Sequence, residues 1–438
     1  MDALLEVVDR WLGAGPDADP GPVVHDRAAY DRLPAMAAIH RAGRSLLAGD
    51  LDATIAHAES VAHLAVSDEL HRGAAAALLG LATWARGDLA TAHDRYVESI
   101  ECFVRGGYHP DVLGCTLALT DILLTLGRLG EAERALRLAT EGATLRGAAD
   151  IHVGLAQVAV ERGDLDAAAA HLDASDHLGP GLGLPQHAYR SRVAAASLAR
   201  ARGDLDAAIE LLEDAERRYD TDYSPPVRPV AAMVAAARIE AGGIAAGRRW
   251  AAEAGVSPGD ELTYVREFEH LTLARLLVAE SEDGDREAAA TAIDLLDRLL
   301  AAADGGGRSG TAIEVLVLLA RAHRAAGDDA RAKAFRTQAE DRARPEGYRR
   351  VLLDGPDDRA RPDERGPDPS RRPTGPDELS DRELDVLRLL RSDLSGPDIA
   401  RELHVSLNTL RTHTKHIYTK LGATNRREAV RRAAELGI

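Results

Sequence analysis

Between Ser406 and Arg432 the chain carries Arg411, Lys415, Lys420, Arg426, Arg427, Arg431 and Arg432 against a single acid, Glu428. Two of its only three lysines fall in this window, in a protein whose formal net charge is −17. Holding phosphates requires a local excess of cations, so acidity averaged over the whole chain does not exclude nucleic acid. Spacing sorts the window further. On a helix, Asn408, Arg411, Thr412, Lys415 and Thr419 form one stripe, and Leu410, His413, Ile417 and Leu421 form the opposite one. Short polar and long basic side chains on an outer face suit the major groove, where base edges offer acceptors to Arg and Lys. Ser406, Asn408 and Thr409, at the start of that helix, are placed to donate to a phosphate. His416 is read as a phosphate or solvent contact, and His413 as a hydrogen-bonded core residue.

The elements that must position these residues are legible from their caps. Ser380-Asp-Arg-Glu383 reads as a capping box leading into Leu384, Val386, Leu387, Leu389 and Leu390. Ser395 caps a second helix, with Pro397 in its first turn, Asp398 beside the helix dipole, and Ile399, Ala400 and Leu403 turned inward. Ser406 caps the third helix, which Gly422 ends. Asn425 and Glu428 open a fourth, with Ala429, Val430 and Ala433 apolar.

With these residues in place, 379–438 resembles the LuxR-type helix-turn-helix. The pattern is carried by Leu379-Ser380-x-x-Glu383, Val386-Leu387, Leu394-Ser395, Ile399-Ala400, Leu403, Ser406, Asn408-Thr409 and His413. It continues through Ile417-Tyr418-x-Lys420-Leu421, Asn425-Arg426 and Ala429-Val430. The resemblance implies double-stranded DNA as a partner, with Arg411, Thr412 and Lys415 facing bases. It implies Ser406, Thr409 and Lys420 on phosphates, and a last helix that pairs two such domains on DNA. Arg426 joins the DNA-contact set as part of the matching Asn-Arg pair. Pro397 and Leu410 depart from the family's usual residues, and neither lies on the contact face.

Upstream, the dominant feature is a repeat. Gly-Asp-Leu-Asp-Ala occurs at 49–53, 163–167 and 203–207, with relatives starting at Gly87, Gly127 and Gly327 and weaker ones near Gly243 and at Gly284. A spacing of roughly 40 residues is that of a helical hairpin unit. The glycine ends one amphipathic helix in a left-handed conformation, and the following Asp caps the next. Small residues at Ala53, Ala167 and Ala207 are expected to let paired helices approach closely. A single hairpin cannot bury its own stripe, so units stack into a superhelix, here a tetratricopeptide-like solenoid of about seven or eight pairs. The composition agrees with an all-α fold: 45% hydrophobic but only 3% aromatic. Arg266-Glu-Phe-Glu-His270-Leu-Thr-Leu-Ala-Arg275 and Gly347-Tyr348 resemble the MalT-like repeat domain of large ATP-dependent LuxR regulators. Leu352-Leu353-Asp354 departs from that domain's usual Phe-Leu-Asp ending.

The domain reading is therefore a repeat domain at 1–353, a linker at 354–378 rich in Pro, Gly, Asp and Arg, and the helix-turn-helix at 379–438. The large regulators carry an upstream nucleotide-binding domain. None of the three lysines here follows a glycine, so no phosphate-binding loop is present and no cofactor is expected. The ATPase is then absent from a short natural variant, on a separate chain, or lost. Gly179-Pro-Gly-Leu-Gly183 reads as a loop between repeats, and His57, His63 and His71 as surface histidines or the lining of a groove. No catalytic constellation is apparent, so no enzyme activity is expected. Two cysteines, Cys102 and Cys115, exclude a disulfide framework. Neither a signal peptide nor a membrane span is predicted, which gives a cytoplasmic protein. The expected function is a transcriptional regulator whose repeat domain senses a small-molecule or protein effector. The alternative is a scaffold for protein partners that the helix-turn-helix localises to DNA.

Overall fold

The computed structural model describes residues 2–14, 23–64, 68–140, 146–219, 223–353, 381–391, 399, 414, 417, 423 and 426–435. The chain divides into a unit from Met1 to Ala360 and a unit from Arg361 to Ile438.

In the first unit a short helix, α1 (Asp2–Ala14), precedes eight hairpins. The first four pair α2 (Arg27–Leu47) with α3 (Leu51–Leu64), α4 (Glu69–Ala85) with α5 (Leu89–Gly106), α6 (His109–Leu126) with α7 (Leu129–Thr140), and α8 (Ala148–Glu161) with α9 (Leu165–Leu178). The next four pair α10 (His187–Ala201) with α11 (Leu205–Arg218), α12 (Val230–Glu240) with α13 (Ile244–Ala254), α14 (Glu267–Glu282) with α15 (Arg286–Gly305), and α16 (Ser309–Ala325) with α17 (Asp329–Ala343).

The turn chemistry follows the sequence. At Gly163 (φ 75°) the chain enters the left-handed region, and the N–H groups of Gly163 and Asp164 return to the carbonyls of Val160 and Ala159, each at 2.9 Å. The Asp164 carboxylate then accepts from Ala167 N at 3.0 Å and caps α9. Asp50, Asp88, Asp204, Asp285 and Asp328 cap their helices in the same way. The turn anticipated near Gly243 is built one residue earlier, on Gly242, which holds the positive φ.

One expectation is displaced by a residue. Ala53, Ala167 and Ala207 are only half-buried, and it is the next position that sits against the partner helix. Counted five residues after each turn glycine, these are Thr54, Ala92, Ala132, Ala168, Ala208, Gly247, Ala289 and Ala332, all buried. The reason is helical phase. The leucine that opens α9 or α11 points inward, and the next inward position lies three residues on, at Ala168 or Ala208.

The superhelix curls until distant repeats meet. The first turn of α16 lies against the end of α6 so closely that a Cβ on Gly310 would collide with the carbonyl oxygen of Leu124. Tyr264, in a 3-10 turn before α14, accepts a hydrogen bond from Trp84 Nε1 of α4 at 3.0 Å. After α17 the chain forms a strap, 344–353, made of two 3-10 turns. Its Tyr348 hydroxyl donates to Leu124 O at 3.0 Å, Arg349 N to Glu161 O at 2.9 Å, and Arg350 Nε to the Glu161 carboxylate at 3.0 Å. Glu346 completes the closure. The α7 turn has Arg128 where other repeats have a capping Asp, and the Glu346 carboxylate accepts from Gly130 N at 2.7 Å in its place.

In the second unit the helices Asp381–Leu390 and Arg426–Glu435 share a small core. Val386, Leu387, Leu390, Ile399, Ile417, Ala423, Ala429 and Ala433 are buried there, with Leu389 and Val430 half-buried against them.

Candidate functional site

Of the residues expected to contact DNA, Arg426 is described. Ser406, Asn408, Thr409, Arg411, Thr412, Lys415, His416 and Lys420 lie outside the described residues, as do the capping serines Ser380, Ser395 and Ser406 and the linker 354–378. Arg426 is half-buried and holds two elements together. Its Nε donates to Leu390 O at 2.8 Å and a terminal nitrogen reaches Leu389 O at 3.4 Å, satisfying carbonyls at the end of the first helix. Ile417, placed by the sequence on the inward stripe of the third helix, is fully buried. Arg431 and Arg432 flank Glu428, at 4.0 and 3.3 Å.

The repeat unit encloses a cavity of about 550 Å³, which sequence reasoning did not anticipate. Its wall is drawn from α4, α6, α8, α10, α11, α12, α14 and α16, and the strap contributes Tyr348, Arg350 and Val351. Apolar wall is supplied by Val193, Leu212, Met233 and Phe268 among others. Charged groups on or behind the wall are mostly tied to one another. Arg308, on the outer side of Glu267, makes a fork to that carboxylate (Nε 3.0 Å, terminal nitrogen 2.5 Å) and also donates to Ala302 O at 2.7 Å. Both side chains are under a tenth exposed. Arg275 pairs with Glu314 in similar burial, and Arg228 reaches the second oxygen of Glu314 at 3.2 Å while lying over the Phe268 ring.

Burial pushes the Tyr264 hydroxyl up to about 12 and raises that of Tyr348 as well, so both stay protonated as hydrogen-bonding groups. The sequence did hold a signal for this site. Glu314 stands between Ile313 and Val315 in a helix that is apolar nearly all round, and a charge in such a run must be buried and paired.

Other singled-out residues find structural roles. His71 is not a surface residue but is buried in α4, 2.7 Å from Asp68. The 179–183 segment is a loop that folds back on α8, where Leu184 N donates to Asp150 at 2.8 Å. Cys102 and Cys115 are free and buried, and burial lifts the Cys115 thiol to about 11. Among the described residues no helix is long and apolar enough to cross a membrane.

Residues 35–358 match the family model of the MalT-like TPR region, and residues 377–433 match that of bacterial regulatory proteins of the luxR family. Among curated proteins, HTH-type transcriptional regulator MalT of Yersinia pestis is 45% identical over 58 residues, 13% of this chain and 6% of that protein. A Mycobacterium bovis protein provisionally named an HTH-type transcriptional regulator is 43% identical over 75 residues, 17% of this chain and 8% of its own length. The chain thus matches less than a tenth of the length of these relatives. Among solved structures, a Rap protein crystallised with competence and sporulation factor shares the repeat fold at a TM-score of 0.53. Identity there is 12%, over 79% of this chain and 92% of that one. The chain belongs to the family of the MalT-like TPR region and carries a luxR-family DNA-binding regulatory domain at its C-terminal end.

Proposed function

We propose that the chain is a regulator of transcription whose repeat domain takes an effector in its central cavity and thereby governs DNA binding by the C-terminal domain. One observation carries the sensing half: Tyr348, Arg350 and Val351 line the cavity and belong to the strap that closes the superhelix. The strap is also the last segment of the repeat domain before the chain continues toward the DNA-binding domain. An occupant of the cavity therefore touches the one element that is continuous in sequence with the linker. The DNA-binding half rests on the luxR-family match and on the basic window 406–432. In this reading Arg411, Thr412 and Lys415 read bases, while Ser406, Asn408, Thr409, His416 and Lys420 hold the backbone. Two copies of the domain then read half-sites about one helical turn apart.

Salt-dependent binding of the full chain to a selected site tests both halves. Lys415→Ala should weaken specific binding by about 1–3 kcal/mol if that side chain meets a base, and Lys420→Ala should lower the salt slope by about one. Ser197→Trp, or the milder Val193→Phe, fills the cavity without touching the strap and should change DNA affinity. DNA binding indifferent to cavity filling would favour the scaffold reading, in which the repeat domain carries a protein partner to a locus.

A further inference from the structure

Five arginines line the cavity: Arg190, Arg200, Arg228, Arg275 and Arg350. Four are neutralised by the protein itself. Arg200 pairs with Glu240, Arg228 and Arg275 share Glu314, and Arg350 pairs with Glu161. Arg190 differs. Its backbone N–H continues the helix to Gln186 O, but among the described residues its guanidinium has neither an ion pair nor a hydrogen bond. It is half-buried on the face of α10 that also presents Val193 and Ser197 to the cavity.

A half-sequestered guanidinium with its donors unused is the group most in need of a partner on this wall. Such a cation is screened less than one at the surface, and its planar fork matches a carboxylate. We propose that the cavity takes a small organic carboxylate whose anionic group binds Arg190 and whose apolar part lies against Val193, Leu212 and Met233. The proposal rests on the sensing function above and names its ligand class. Charge sets the valence. Asp121, Asp150 and Glu216 also line the cavity, so the wall that offers one unneutralised cation repels a polyanion and accepts a monoanion. Gln157, on the neighbouring α8, adds an amide with no side-chain partner among the described residues.

Saturation-transfer NMR on the full chain tests this with two matched pairs, hexanoate against hexanamide and benzoate against benzamide. The expected result is transfer to at least one carboxylate and not to its amide, with affinity falling about tenfold or more in Arg190→Gln. Arg190→Lys should retain part of it. Because the Arg190 guanidinium has neither an ion pair nor a hydrogen bond among the described residues, and Gln keeps part of its aliphatic stem, Arg190→Gln should keep the wild-type thermal midpoint, so lost binding is not lost folding. Equal binding of acid and amide, no binding of either carboxylate, or unchanged binding in Arg190→Gln overturns the assignment. The sensing function is judged separately by the effect of Ser197→Trp or Val193→Phe on DNA affinity. An effect there with no Arg190-dependent carboxylate binding leaves sensing in place and removes the anion site. Arg190-dependent binding with DNA affinity indifferent to cavity filling does the reverse.

Discussion

Replacing Arg308 with Met strands the Glu267 carboxylate in a site where it is under a tenth exposed. The guanidinium supplies that carboxylate with a fork of hydrogen bonds, ties it to Ala302 O, and stands 5.4 Å from the Tyr264 ring. Removing one partner of a buried pair costs about 3–5 kcal/mol, because the remaining charge keeps its desolvation penalty and loses its compensation. Removing both is different. With Glu267→Leu added, no charge is left to desolvate, and the double variant should lie within about 1–2 kcal/mol of the parent. Adding Glu267→Leu should then restore roughly 1–4 kcal/mol of what Arg308→Met alone removes. Urea unfolding followed by tryptophan fluorescence and far-ultraviolet circular dichroism provides the assay. Trp84 donates to the Tyr264 hydroxyl, so its emission reports the neighbourhood of the pair while dichroism reports all the helices. A single variant losing less than about 1 kcal/mol, or a double variant as unstable as the single, would refute the reasoning and mean that water reaches the pair.

Four further outcomes are expected. Glu346→Ala should lower stability by about 1 kcal/mol, the cost of an N-cap, although the helix it caps begins more than two hundred residues earlier; a loss near zero in urea unfolding would place this carboxylate in solvent. Ala208→Leu should cost about 1–3 kcal/mol by overpacking, whereas Ala207→Leu, one residue away and half-buried, should cost clearly less. His152 and His171 meet through their Nδ1 atoms at 3.2 Å, and burial holds both below the ordinary 6.5. The unfolded chain therefore binds protons that the folded one refuses, so stability is full above that value and falls as pH drops below it; His171→Leu should flatten this dependence in midpoints measured from neutral to mildly acidic pH. Arg426→Met should destabilise the C-terminal domain by freeing the carbonyls of Leu389 and Leu390, read as a lower thermal midpoint, while Lys415→Ala should leave that midpoint in place.

What could be read in advance was what is local. Gly163 and Asp164 announce a turn and a cap within a few residues, and the structure forms both. The inward alanine was misplaced by one because the eye follows the string Gly-Asp-Leu-Asp-Ala, whereas the helix counts from its opening leucine. Closure of the superhelix was not legible. Trp84 and Tyr264 are 180 residues apart, Leu124 and Tyr348 are 224 apart, and their meeting depends on small rotations accumulated over several hairpins. Arg128, the one strong repeat in which a basic residue replaces the capping acid, was the available hint that its helix is capped from elsewhere. The DNA-contact assignments come from a short motif with fixed spacing. The cavity arginines come from α10, the loop before α12, α14 and the strap, and no linear pattern joins them.

The docked strap also changes how the repeat array loses its structure. An open row of hairpins touches only nearest neighbours, so its end units fray and the row melts stepwise from either tip. Here the C-terminal tip is fastened back onto α6, α7 and α8 by Tyr348, Glu346, Arg349 and Arg350. Peeling the last hairpin breaks contacts in the middle of the row as well as at its end. The row from α4 to α17 is thus expected to behave as one cooperative block, while α1 to α3, ahead of the closure, remain free to open alone.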